Sequence, residues 1–245
     1  MPRARRPQAD PDFDSPVLTV SVEGRPVLEV VGVASGFDFP ATEASIVQID
    51  PSNDAPEVFF ASYSGGAHCC TQVIIASSVG ERWVAVPIGE FDGDGGFLTD
   101  LDGDGLAEIA THDNRFLYRF GCYACSAAPL VIWTVHQGKA FDISGEPRFR
   151  DAHRDWLARL EGFIDPSDKW TSPGFLAGWV AAKIRVGEGR EAWEGLNENW
   201  DFSTDEGEEV CLTGEDLEDC PRRHRKVLNF PDRLKLFLEQ TRYMS

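Results

Sequence analysis

Thr99 to Ile109 read TDLDGDGLAEI, a stretch that packs four carboxylates, Asp100, Asp102, Asp104 and Glu108, into nine residues. Leu101 and Ile109, beside them, belong in a core. The flanking runs are short and rich in β-branched and aromatic residues, so the acidic turn joins two strands rather than two helices. The first half of the chain is therefore a set of β-hairpins.

Working outward, runs of the same kind recur in VLTVSV (17–22), VFFASY (58–63), TQVIIASSV (71–79), RWVAVPI (82–88), LAEIATH (106–112), RFLYRF (115–120) and PLVIWTV (129–135), separated by glycine, proline and aspartate. After Gly145 the apolar spacing turns helical. Ala152, Trp156, Leu157 and Leu160 share one helix face, and so do Trp193, Leu196 and Trp200. Ser172-Pro173 opens a helix as N-cap and N1, and Asn229 to Asp232 open the last one, RLKLFLEQ. The expected fold is α+β: residues 1–15 a disordered segment, 16–145 an antiparallel β domain of propeller-blade-like hairpins in a small sheet assembly, and 146–245 a mainly α-helical domain with an acidic disulfide loop.

The acidic turn has an echo. IDPSNDAPEV (49–58) and LDGDGLAEI (101–109) share an apolar residue, an aspartate, a polar turn and a glutamate before a β-branched residue. The two glutamates, Glu57 and Glu108, are spaced as in blade repeats.

As ligands, Asp100, Asp102 and Asp104 occupy positions 1, 3 and 5, Gly105 makes the sharp turn, Leu106 offers a carbonyl at 7, and Glu108 sits at 9. Alternate oxygen donors on a tight turn suit a hard cation, Ca²⁺ ahead of Mg²⁺. The loop is not an EF-hand, because Thr111 stands where position 12 needs a bidentate glutamate. A bare Asp-Gly turn needs no metal, but it would crowd like charges for no gain. The neighbouring FDGDGG (91–96), with Asp92 and Asp94, reads as a plain turn.

DLDGDGLAEI resembles the calcium loop of FG-GAP/VCBS-type repeats, and the resemblance implies Ca²⁺ held by Asp100, Asp102, Asp104, the Leu106 carbonyl and Glu108. The echo at Asp50, Asn53, Asp54 and Glu57 departs from that pattern by one extra residue and a proline for a glycine. SGGAHCCTQV followed by DLDGDGLAEI is similar to exported bacterial proteins carrying one such loop, and NENWD with FPDRLKLFLEQTRY is similar to a tail on related proteins. The resemblance implies a location and a metal, not a reaction.

The chain has 245 residues, 42% of them apolar, and a formal net charge of −18. That charge speaks against nucleic acid or an anionic membrane as a partner, since both need lysine and arginine on phosphates. No apolar run is long enough to span a bilayer. Six cysteines, Cys69, Cys70, Cys122, Cys125, Cys211 and Cys220, suit oxidation in a periplasmic or secreted protein, although MPRARRPQAD carries no signal-peptide core.

Cys211 and Cys220, around LTGEDLED, form the simplest pair. For the other four, at least one bridge joining the 69/70 and 122/125 segments is favoured over two local bridges, because a bridge between adjacent cysteines needs a Cα separation shorter than the usual disulfide range. His68 with Cys69, Cys70, Cys122 and Cys125 is the sharper alternative, a soft-metal or redox site. His112-Asp113 is the first pair to inspect for catalysis. Nine acids between 201 and 219, followed by RRHRK (222–226), read as a solvated loop.

These residues point to an exported, calcium-binding, disulfide-stabilised interaction or structural module without its own catalysis. Its expected partner is another exported protein or a cell-surface component. The competing class is an enzyme, either a hydrolase at the β/α junction or a thiol oxidoreductase using Cys122 and Cys125.

Overall fold

The structure, a computed structural model, describes residues 15–36, 41–53, 55–93 and 95–244. The segment expected to be disordered, up to Asp14, and the aspartates Asp54 and Asp94 lie outside these residues. The chain is a mixed α+β protein that divides into two compact units, 1–112 with 131–149, and 113–130 with 150–245.

In the first unit β1 (Val17–Val22) and β2 (Arg25–Val31) form an antiparallel hairpin. The strands β3 (Thr42–Val47), β4 (Glu57–Tyr63), β5 (Cys69–Val79) and β6 (Arg82–Asp92) make a four-stranded sheet in chain order, each pair antiparallel. A second four-stranded sheet, again in chain order, holds β7 (Leu98–Thr99), β8 (Glu108–His112), β9 (Leu130–His136) and β10 (Lys139–Asp142). Gln137 and Gly138 link β9 to β10 with φ of 48° and 71°. A two-residue turn of that kind matches strand twist, and a Cβ on Gly138 would lie 2.7 Å from a Val79 methyl.

Alternation along the central strands decides what covers each face. Phe59 and Ala61 on β4, Val73 and Ile75 on β5 and Val86 on β6 share one buried cluster with Phe97, just before β7, and with Ile109 and Val135 of the second sheet. Phe60 and Ile74, one residue out of phase, pack instead with Val30 of β2 and the partly buried Leu18 and Leu28. Both faces of β4 and β5 are thus buried, which is why these strands read as continuous apolar runs.

The second unit contains α1 (Arg150–Phe163), α2 (Pro173–Arg185), α3 (Gly189–Asn199), a small hairpin of β11 (Glu208–Cys211) and β12 (Arg225–Leu228), and α4 (Phe230–Gln240). Every residue of α2 from Gly174 to Ala182 is buried, so it is the central helix and the amphipathic others surround it. It starts as the sequence predicts, with Pro173 after Ser172, and Asn229 caps α4 by accepting from the Asp232 amide at 2.9 Å.

The strand expected at RFLYRF does not form. Asp113 accepts from the Arg115 amide at 3.1 Å and caps a 3₁₀ turn at Asn114–Phe116. Phe116 and Phe120 then enter the helical core, with Phe116 edge-on to Phe237 at 4.9 Å and Phe120 edge-on to Phe237 at 5.3 Å. Residues 113–130 therefore belong with the helices although they are inserted between β8 and β9.

Every cysteine pairs locally, Cys69–Cys70, Cys122–Cys125 and Cys211–Cys220, and none is free. The favoured bridge between the 69/70 and 122/125 segments is not made. Cys122 is the N-cap of a 3₁₀ turn that ends on Cys125, and such a turn stacks side chains three apart on one side and so suits a local pair. Closing the 211–220 loop contributes about 2 to 3 kcal/mol through lost chain entropy, whereas a bridge between neighbours contributes only about 1 kcal/mol.

Candidate metal centre

The loop between β7 and β8 is folded by its own carboxylates. Leu98 pairs with Ile109 and Thr99 with Glu108, so Asp100 and Glu108 leave the hairpin side by side. Asp100 accepts from the Gly103 amide at 2.7 Å and the Gly105 amide at 3.0 Å. Asp102 accepts from the Asp104 amide at 3.2 Å and Asp104 from the Leu106 amide at 2.8 Å. These short side-chain-to-backbone bonds hold the turn before any ligand arrives.

Glu108 is buried and accepts from the Leu101 amide at 2.8 Å. Burial pushes its carboxyl above the usual range, and the charges of Asp102 and Asp104 add to the rise, against the Leu101 amide and Arg148. Oxygens of Asp100, Asp102 and Glu108 all lie within 4.8 Å of one another, a spacing that fits oxygen ligation of one hard cation. Asp104 falls outside that trio. Its second oxygen faces the Arg148 guanidinium at 3.3 Å, and the same guanidinium holds Asp102 at 2.9 Å. Leu106 enters the loop through its amide, and its carbonyl remains a candidate ligand.

Arg148 was not visible as part of this site. It comes from 46 residues beyond Asp102, braced by Glu146 at 2.8 Å and stacked on Phe149 at 4.4 Å. Burial opposes its charge, but Glu146 and Asp102 prevail and hold its pKa above the usual value.

The echo loop repeats the frame and fills it differently. Glu57, fully buried, accepts from the Ile49 amide at 2.9 Å, as Glu108 does from Leu101. Its other oxygen meets the Asn53 side-chain amide, which also donates to the Ser77 hydroxyl at 3.0 Å. Asp50 accepts from the Ser52 amide and hydroxyl, the Gln137 amide and His136. Side chains from within the echo loop and the turn after β9 thus supply donors here, where the first loop relies on its own amides and Arg148. In each sheet the acidic loop lies between the first and second strands, and the glutamate opens the second strand. The Ala107 amide donates to the Gln48 carbonyl at 2.8 Å and ties the two loops together.

His112 lies 3.8 Å from Asp92, with its pKa lowered by burial against that carboxylate, while Asp113 holds Arg115 at 2.7 Å and Tyr243 at 3.1 Å. Asp92 is buried, and its other oxygen contacts His68 Nδ1 at 3.0 Å. The turn reading of FDGDGG missed this carboxylate.

Residues 153–242, which hold α2, α3, α4 and the small hairpin, match the family described as the sll0997 C-terminal domain. Over 234 residues the chain is 36% identical to the probable thylakoid lumen protein sll0997 of Synechocystis sp., covering 94% of this chain and 68% of that protein. The chain belongs to the sll0997 family. A second relative of this sll0997-family chain, the uncharacterized protein y4bJ of Sinorhizobium fredii, is 33% identical over 238 residues, covering 94% of the chain but 37% of y4bJ. No solved structure matches.

Proposed function

We propose that the chain is an exported module whose β unit is pinned by calcium and which serves as an interaction or structural element for another exported protein or a cell-surface component. The observation that carries the metal is the convergence of Asp100, Asp102 and Glu108 within 4.8 Å on a loop already held by its own amides. Asp104 and the Leu106 carbonyl complete the ligand set, Asp104 by leaving Arg148. The two chain-ordered sheets, each with its acidic loop in the same place, support reading them as two blade-like copies of one calcium-loop unit, the second of which keeps the metal.

The oxidised cysteines and the relative named as a thylakoid lumen protein support an exported location. Among the described residues no helix is long and apolar enough to cross a membrane.

Calcium at about a hundred times its dissociation constant adds roughly 2.7 kcal/mol to the folded state. The test is thermal melting with Ca²⁺ or chelator. The wild-type Tm should rise with Ca²⁺, and an Asp100→Asn, Asp102→Asn double variant should melt at one temperature in both. A wild-type Tm indifferent to Ca²⁺ would sink the proposal.

A further inference from the structure

We propose that Cys122–Cys125 is an exchange site that passes its disulfide to dithiols of other exported proteins, with attack falling on Cys122 and Cys125 leaving as the thiolate. The proposal is independent of the calcium reading. Both cysteines are exposed, whereas Cys211 and Cys220 are buried, so this bridge is open to an incoming thiol.

The turn that carries the bridge is held without it. The Cys125 amide donates to the Cys122 carbonyl at 3.0 Å, the Ser126 amide to the Tyr123 carbonyl at 3.0 Å, and the Ser126 hydroxyl to the Cys122 carbonyl at 2.9 Å. The Ala127 amide donates to the Gly174 carbonyl at 3.1 Å and fastens the segment to α2. Breaking the S–S bond leaves all of these in place. The two thiols then stay on one side of a 3₁₀ turn, poised to close again.

α2 supplies the electrostatics. A Cβ on Gly121 would lie 3.5 Å from the Cys125 Cβ and 3.6 Å from the Gly174 amide nitrogen, so the Cys125 side chain starts within about 7 Å of that amide. A Cβ on Gly174 would stand 2.6 Å from the Cys125 carbonyl oxygen. Cys125 is thus seated against the first turn of a helix of 13 residues. Ser172 does not cap that turn, its hydroxyl donating instead to the Asp168 carbonyl at 2.9 Å. First-turn amides carry positive partial charge and favour a thiolate beside them, which makes Cys125 the better leaving group. Next to the bridge the Tyr118 ring is 60% exposed and lies 5.6 Å from the Tyr123 ring, an aromatic surface for the apolar side chains of a substrate segment.

In the first step a thiolate of the incoming dithiol attacks the Cys122 sulfur. The Cys122–Cys125 bond breaks, a mixed disulfide forms on Cys122, and Cys125 leaves with the electron pair. In the second step the other thiol of the partner loses its proton to solvent and attacks the partner's sulfur in the mixed disulfide, releasing Cys122 as a thiolate. Solvent returns protons to the two cysteines as needed. The pair gains two electrons and two protons, and the partner departs as a disulfide.

The test uses the full chain and a reduced synthetic peptide carrying two cysteines, with acid quench, alkylation and mass readout of each pair. The chain should oxidise the peptide while its circular dichroism stays native, Cys122–Cys125 opening at least tenfold faster than Cys211–Cys220. A Cys122→Ala, Cys125→Ala double variant should lose that oxidation. In Cys122→Ala alone, the pH dependence of alkylation should show a Cys125 thiol at least tenfold more acidic than an ordinary cysteine. Ser172→Asp caps α2 and so favours the fold, yet its charge at the helix N-terminus should make the thiol less acidic and slow opening about threefold. The proposal is overturned if the double variant still oxidises the peptide, if Cys122–Cys125 opens only with loss of the native circular dichroism, or if the Cys125 thiol is no more acidic than an ordinary one.

Discussion

Asp50 accepts four hydrogen bonds in the closed corner of the echo loop, from the Ser52 amide and hydroxyl, the Gln137 amide and His136. Burial alone would raise its pKa, but these bonds prevail and bring it down to about 2. A folded-state pKa below the unfolded one gives stability that is complete above the ordinary carboxylate range and is lost as pH falls toward 2. The contribution at neutral pH is about 2 kcal/mol. Asp50→Asn should therefore cost roughly that much in urea denaturation at pH 7 and should flatten the acid limb of the stability curve between about pH 5 and pH 2. An unchanged acid limb would show that the four bonds do not distinguish the folded state.

Sequence spacing exposed Asp50 and Glu57 as an echo of Asp102 and Glu108 because a loop that folds on its own side chains is a local object. Arg148 and the His68–Asp92 pair could not be read in that way. Each depends on contacts between separate parts of the chain, 46 residues apart in one case and 24 in the other.

Among the elements, α2 shows how a short-range signal and a long-range constraint combine. Its start is set locally by Ser172-Pro173, but its small residues answer to a neighbour. A Cβ on Gly178 would stand 2.1 Å from the Ala127 carbonyl oxygen, and the Ala127 amide donates to the Gly174 carbonyl at 3.1 Å. Gly178→Ala should lower stability by about 1 to 3 kcal/mol despite the better helix propensity of alanine. Gly162→Ala on α1, where nothing lies within 4 Å, should raise it by about 0.5 to 1 kcal/mol. Equal effects at the two sites in equilibrium unfolding would contradict the close packing of α2 on the inserted segment. That segment was misread from sequence for a definable reason. In RFLYRF the spacing of Phe116 and Phe120 satisfies both strand alternation and one helical turn, and only the cap at Asp113 chooses between them.

At the scale of the molecule, the chain passes between its two units three times, at 112/113, 130/131 and 149/150. A division at residue 145, natural from composition, would leave Phe116, Phe120, Ala127 and Ala128 without the helices that bury them. A chain ending at residue 149 should therefore self-associate, as judged by light scattering. The same chain with 113–130 replaced by a short Gly-Ser linker should remain monomeric and, on the proposed function, keep its Ca²⁺-dependent Tm. Equal solubility of the two chains would mean that the inserted aromatic residues do not need the helical unit.

The insertion also sets an order of events at the ribosome. Phe116 emerges first, and Phe237 and Tyr243, the rings that close over it, follow only about 120 residues later. At ordinary elongation rates of roughly 5 to 20 residues per second, that interval is on the order of ten seconds. The β unit has all its strands once residue 142 is out, whereas the helical unit must hold two uncovered phenylalanines until α4 arrives. A nascent chain paused within that interval presents a ready-made binding site for a holding chaperone.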